Sequence, residues 1–149
     1  MVDASFMLMG LINSRLITLT PKTLYKGTAM SKLRTVEQYM SALSRQDLDG
    51  IVALYAEDAT LEDPIGTPII EGKVAIREFY SKATCIKLSA SLLGDVRIAG
   101  GFVAFPFAIT LPSEAGQMRM EIIDTFKFNE QGLITEMKAY WGEENCHLV

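Results

Sequence analysis

Two aspartates occupy positions that the surrounding pattern reserves for apolar residues. In "QMRMEIIDTFKF", residues 117–128, alternate side chains of a strand share one side. Met118, Met120, Ile122, Phe126 and Phe128 therefore face the same way as Asp124. The other side carries Arg119, Glu121, Thr125 and Lys127, with Ile123 its one apolar member. In "ATLED", residues 59–63, Ala59 and Leu61 share a side with Asp63, and Glu62 points the other way. An ionised, unpaired carboxylate is costly in apolar surroundings. Full burial raises a carboxyl pKa by up to ~3–5 units. An acid held neutral becomes a hydrogen-bond donor, whereas a less buried acid beside it stays ionised and takes protons. That division of labour is the chemistry of proton transfer. The plainer alternatives are a turn role for Asp63 before Pro64, or pairing of either acid with a lysine. No basic residue alternates onto Asp124's own side of its strand.

Three tyrosines add a second signal. Tyr39, Tyr55 and Tyr80 each fall on the inward stripe of a different expected helix. Tyrosine at helical spacing is more often core than chemistry, but a buried phenol needs a partner for its hydroxyl. Three converging phenols satisfy one another in a chain, which leaves the outermost hydroxyl as a strong donor.

The elements that must position these groups follow from periodicity. Val36, Tyr39, Met40 and Leu43 recur at helical spacing. Leu48, Ile51, Val52 and Tyr55 form a second stripe, with Asp47 as its N-cap. Residues 59–63 alternate as a short strand that Pro64 and Gly66 end. Ala75 or Ile76 with Phe79, Tyr80 and Ala83 makes a third helix. Strands are expected near 85–91, 94–99, 102–111, 116–129 and 133–141, with "NEQG" (129–132) a tight hairpin turn between the last two. Helices first and antiparallel strands afterwards indicate an α+β fold, with helices on one face of a curved sheet.

Composition narrows the function. The chain has 149 residues, enough for one domain with a real core. Its hydrophobic content of 49% and charged content of 21% mark a globular protein. A net charge of −4 and the lack of a Lys/Arg cluster point away from nucleic acid. "IAGGF" has neither a Walker lysine nor the dinucleotide spacing. Cys85 and Cys146 are the two cysteines, which fits a reducing cytoplasm. His147 beside Cys146 has no further ligand pair at usable spacing, so no metal site is expected. "FMLMGLINSRLITL" is too short and interrupted to span a membrane. Met30-Ser31-Lys32 looks like a natural start, so residues 1–29 are expected to be a poorly ordered extension and residues 30–149 the single domain.

Residues 35–143 resemble the bacterial ketosteroid isomerases (steroid Δ5-3-oxo isomerases) of the SnoaL-like, nuclear-transport-factor-2-like superfamily. The stretches that carry the resemblance are "YMSAL", "DLDGIVALYAEDATLEDPIGTPIIEG", "IREFY", "IIDTFKFNEQGLI" and "MKAYW". "LYAEDATLEDPIG" together with the later "IIDTFKF" is the most specific part. The resemblance implies an NTF2-like cone, with three N-terminal helices on a curved, mostly antiparallel sheet that encloses an apolar pocket. Segment 83–101, which helps wall the pocket in that family, has no clear counterpart, so substrate preference is not carried over.

Position by position, the resemblance places the family's general base on Asp63. Its oxyanion-hole tyrosine falls on Tyr39 and its protonated acid on Asp124. Tyr55 and Tyr80 take the supporting tyrosines, and Trp141 a tryptophan near the base. It implies a 3-oxo steroid whose β,γ double bond is moved into conjugation, with no metal or organic cofactor. It also implies a homodimer formed through the outer face of the sheet. Phe105, Phe107, Val103, Met118, Met120, Phe126, Met137 and Trp141 are candidates to line the cavity, though plain core is the commoner fate of such residues. The rival readings are a polyketide cyclase or a non-catalytic binding module. Epoxide-hydrolase chemistry would need an arginine between two aspartates, and Arg77, Arg97 and Arg119 are not placed by the sequence to supply it.

Overall fold

The computed structural model describes residues 28–149, with side chains from residue 31 onward. The expectations for the N-terminal extension lie outside the described residues, except that Thr28 and Ala29 already belong to the first helix.

Helix α1 (Thr28–Arg45) buries Val36, Tyr39, Met40, Ala42 and Leu43, the expected stripe with Ala42 filling its edge. Gln46, with φ of 57°, ends it in the left-handed region, where the side chain still reaches the Thr84 carbonyl. Asp47 then caps α2 (Leu48–Val52), its Oδ1 accepting the Gly50 N–H at 2.8 Å. A Cβ on residue 50 would fall 2.5 Å from the Asp47 carboxylate, so glycine is what allows this cap to close.

The second helix is shorter than expected. Tyr55 opens strand β1 (Tyr55–Glu62) instead of closing α2. The Leu54 carbonyl accepts the Ile134 N–H at 2.8 Å, so pairing with the last long strand takes over from the helical stripe. Tyr55 is nonetheless fully buried: its inward side was read correctly and its element was not. After β2 (Ile70–Glu71), helix α3 (Lys73–Ala83) buries Ile76 and Tyr80 as expected.

The remaining strands are β3 (Ser89–Leu92), β4 (Arg97–Ala99), β5 (Phe102–Ser113), β6 (Gly116–Phe128) and β7 (Ile134–Tyr140). A 3₁₀ turn (Glu143–Asn145) and a short β8 (Cys146–Leu148), neither foreseen, complete the chain. Residues 85–88 are not strand, and β3 begins only at Ser89. The gap between β3 and β4 falls opposite Pro106, which has no N–H to offer a neighbouring strand. Asn129 closes the β6–β7 hairpin, its Oδ1 accepting from the Gln131 and Leu133 N–H groups, with Gly132 at φ 80°.

The path through the sheet is β2-β1-β7-β6-β5-β3, with β4 also on β5 and β8 also on β6. Every pairing among the described strands is antiparallel except β1 with β7. Register shifts in the β1–β7 and β6–β7 pairs mark irregularities that bend the sheet. The core lies between the helices and one face of this curved sheet, where Leu61, Val103, Phe105, Phe126, Ile134 and Met137 are fully buried. The architecture is α+β, helices on a curved open sheet, as the sequence indicated.

Candidate active site

The register brings the two aspartates to one level. Asp124 of β6 pairs with Ala139 of β7, and on the other side with Phe105 of β5. Asp63 follows Glu62, which pairs with Lys138, and the Ile65 N–H reaches the Ala139 carbonyl at 2.9 Å. Asp63 and Asp124 thus flank β7 at Ala139. Two strand spacings separate their backbones, roughly 10 Å. Both lie on the side that faces the helices, because Asp63 continues the alternation of buried Ala59 and Leu61.

Asp124 is 1% exposed. Its Oδ2 accepts the Tyr39 hydroxyl at 3.2 Å, and its Oδ1 has no hydrogen-bond partner among the described residues. Tyr39 and Tyr80 share a hydrogen bond of 3.2 Å, and Tyr80 and Tyr55 one of 2.7 Å. A chain of three phenols therefore ends on a carboxyl group. Each phenol comes from a different element: Tyr39 from α1, Tyr80 from α3 and Tyr55 from the first residue of β1. Edge-to-face contacts with Phe105, Phe107 and Phe126, at centroid distances of 6.2, 6.5 and 5.2 Å, fix the Tyr39 ring.

Electrostatics separates the two acids. Burial, then the nearby charge of Asp63, pushes Asp124 well above the usual carboxylate range, and the Tyr39 bond only partly opposes this. The magnitudes explain why: a hydrogen bond to a charged group stabilises by ~1.5–3 kcal/mol, against several kcal/mol for taking a carboxylate out of water. Burial thus favours the neutral form of Asp124. With Oδ2 accepting from Tyr39, its proton belongs on the unpartnered Oδ1. Burial, followed by the charge of Asp124, also holds Tyr39 well above the ordinary phenol value, and burial with neighbouring phenols does the same for Tyr55 and Tyr80. All three stay protonated donors.

Asp63 is only half-buried. Burial raises its pKa, but the Trp141 Nε1–H donates to Oδ1 at 2.7 Å and favours the charged form. The structure thus sets an ionisable acid opposite a pair of neutral donors. Such an arrangement can take a proton from carbon while stabilising the oxygen that becomes negative.

The expected lining residues stand in different relations to the two acids. Phe105 and Phe126 are 0% exposed and brace Tyr39, as core residues do. Phe107, Val103 and Met137 are likewise core. Met120 packs against the core from its edge, while Met118 pairs with Leu148 of β8, away from Asp124 along β6. Arg77 bonds to Asp49, Arg97 to Asp95 and Arg119 to Glu121, so none of them serves Asp63. His147 lies exposed opposite Arg119 on β8. Sequence reasoning missed the partners that hold the Asp63 loop, namely Ala139 and Glu62. An acid four residues before a glycine, across Asp-Pro, was the available signal for Glu62.

Comparison with known proteins agrees with this geometry. The model of the SnoaL-like domain family matches residues 36–137. The steroid Delta-isomerase of Nocardioides simplex is 42% identical over 107 residues, covering 72% of this chain and 86% of that protein. The epoxide hydrolase LasB of Streptomyces lasalocidi is 28% identical over 120 residues, 70% of this chain but 39% of its own length. A solved structure from a study of the epoxide hydrolase/cyclase-like enzyme SalBIII in pyran ring formation superposes with a TM-score of 0.74 at 24% identity. It covers 80% of this chain and 97% of that one, and establishes the shared fold alone. Match and coverage together place the chain in the SnoaL-like superfamily and, within it, in the steroid Delta-isomerase family.

Proposed function

We propose that this protein is a steroid Delta-isomerase that moves the β,γ double bond of a 3-oxo steroid into conjugation by proton transfer within the substrate. Ionised Asp63 removes a proton from the carbon between carbonyl and alkene. The C–H electron pair passes into the π system and leaves negative charge on the carbonyl oxygen. Asp124 Oδ1–H and the Tyr39 hydroxyl stabilise that dienolate oxygen. The Tyr39 proton turns from Asp124 Oδ2 to that oxygen, while Tyr55 donating to Tyr80, and Tyr80 to Tyr39, polarises the Tyr39 O–H. Asp63 then returns the proton to the far end of the dienolate, and the conjugated ketone forms. Every electron pair and proton is accounted for without a metal or organic cofactor.

The observation that carries the reading is the pair of unlike acids on one inward face at Ala139. One is fully buried with a bare Oδ1, and the other is half-exposed and held by Trp141. The test is Asp63→Asn assayed on a Δ5-3-ketosteroid by the ultraviolet absorbance of the conjugated enone. Turnover should collapse, and near-parent turnover contradicts the base assignment.

The substrate is a small apolar ketone; of the candidate lining residues, Trp141 is bonded to Asp63 and Phe105 is paired across the strands with Asp124. The working unit is a homodimer joined through the outer sheet face, where Leu93, Phe102, Ile123 and Tyr140 are exposed apolar residues. The setting is the cytoplasm, a reading supported by two unpaired cysteines, Cys85 and Cys146. No helix among the described residues is long and apolar enough to cross a membrane.

A further inference from the structure

Several hydrogen bonds hold the turn that carries Asp63, among them the Thr67 N–H to the Pro64 carbonyl at 3.1 Å, and one of them involves the residue just before Asp63. Trp141 Nε1–H donates to Asp63 Oδ1 at 2.7 Å, and Ile65 N–H donates to the Ala139 carbonyl at 2.9 Å. The Thr67 hydroxyl donates to the Pro64 carbonyl at 2.8 Å. Another runs from the Gly66 N–H to Glu62 Oε1 at 2.7 Å and bridges residues 63–65. A backbone N–H bonded to a carboxylate is stronger than a neutral pair.

Packing contributes little at the Gly66 end of the turn. Gly66 has φ of 94°, and a Cβ built on it would meet nothing within 4 Å. At Gly66 the chain is held by its hydrogen bond to Glu62 rather than by neighbours pressing against it. Glu62 lies on the opposite side of β1 from the inward-facing Ala59 and Leu61, so it does not enter the space between the two acids.

We infer that Glu62 is a positioning residue: by gripping the Gly66 N–H across the Asp63–Ile65 turn, it fixes where the Asp63 carboxylate stands relative to Tyr39 and Asp124. The inference rests on the reading of Asp63 as the base. A proton transfer to carbon tolerates little misplacement, and an error of about 1 Å costs on the order of 10²-fold.

The experiment compares Glu62→Ala and Glu62→Gln in the parent and in the Asp63→Asn background. It measures kcat and KM on a Δ5-3-ketosteroid and the affinity for equilenin, a planar phenol that mimics the dienolate. Glu62→Ala should lower kcat on the order of 10–100-fold while KM and equilenin affinity hold. Glu62→Gln, which keeps an acceptor for the Gly66 N–H, should recover most of the loss. In the Asp63→Asn background the same truncation should cost no more than about twofold, because a group that acts through Asp63 has nothing left to position. Unchanged kcat in Glu62→Ala overturns the inference. So does an equal loss in both backgrounds, or a parallel loss of equilenin binding. Should Glu62→Ala fail to fold, Glu62→Met, which keeps the length without the acceptor, is read in its place. Near-parent turnover in Asp63→Asn alone is a separate result and removes the base reading itself.

Discussion

The two halves of the site are built to opposite rules. The half around Asp124 is dry and over-determined: three phenols in a chain, three phenylalanine rings around Tyr39, and an acid with 1% exposure. The half around Asp63 is a turn at the end of a strand, half-exposed and held by hydrogen bonds. The same residue type stands in two unlike environments, one fully buried and one half-exposed beside an indole. Burial sets the first, and at the second an indole N–H works against the burial that raises the pKa. Rigid preorganisation suits a group that waits for charge to develop. A tethered turn suits a carboxylate that must reach two carbons of one substrate in succession.

Breaking the Asp63 half should cost most. Asp63→Asn removes the proton acceptor and leaves the donors in place, so kcat should fall by ~10²–10⁴-fold with equilenin binding intact. A variant that loses binding as well would show that the two halves are not separable. Next in size is the dry half. Tyr39→Phe removes one donor to the developing oxygen and should lower kcat by about 10²–10³-fold, whereas Asp124→Asn exchanges the acid O–H for a weaker amide N–H and should lower it less. Equilenin affinity should fall with it, the reverse of the Asp63 pattern.

Asp124→Asn also carries a stability signature. A folded-state pKa above the unfolded value stabilises the fold below about 4, the ordinary carboxylate value. That contribution is lost as pH rises through the raised pKa, because only the unfolded chain ionises freely. Asparagine does not titrate. Denaturant unfolding followed across this range should therefore show a smaller decline for Asp124→Asn than for the parent. An equal decline would mean that Asp124 is ionised in the fold.

The smaller effects sharpen the comparison. Trp141→Phe removes the bond that favours ionised Asp63, so the acid limb of the kcat/KM profile should move to higher pH. A shift to lower pH contradicts the role given to the indole. Tyr55→Phe breaks the outermost link of the phenol chain and should cost the least, roughly tenfold or less, about one hydrogen bond's worth.

How much of this the sequence disclosed follows the same divide. The buried half was legible because burial writes itself into periodicity: Asp124 interrupts a clean alternation, and Tyr39 and Tyr80 sit on true helical stripes. Tyr55 shows the limit. Its spacing from Leu48 suits a helix and a strand start equally, and the bond between Leu54 and Ile134 that decides the matter joins residues 80 positions apart. The tethered half was hardly legible beyond Asp63 itself. Ties such as Glu62 to Gly66 and Ile65 to Ala139 depend on how the turn folds back, which no alternation encodes. The short β8 was hidden for a similar reason: three residues at the chain's end become a strand only because β6 offers an edge.

One titration addresses the central claim directly. Carbon-13 NMR of the side-chain carboxyls in the folded protein should show Asp124 still protonated at neutral pH and Asp63 ionised there. If Asp124 titrates in the ordinary carboxylate range near 4, the neutral-donor half of the site does not exist and the account is contradicted.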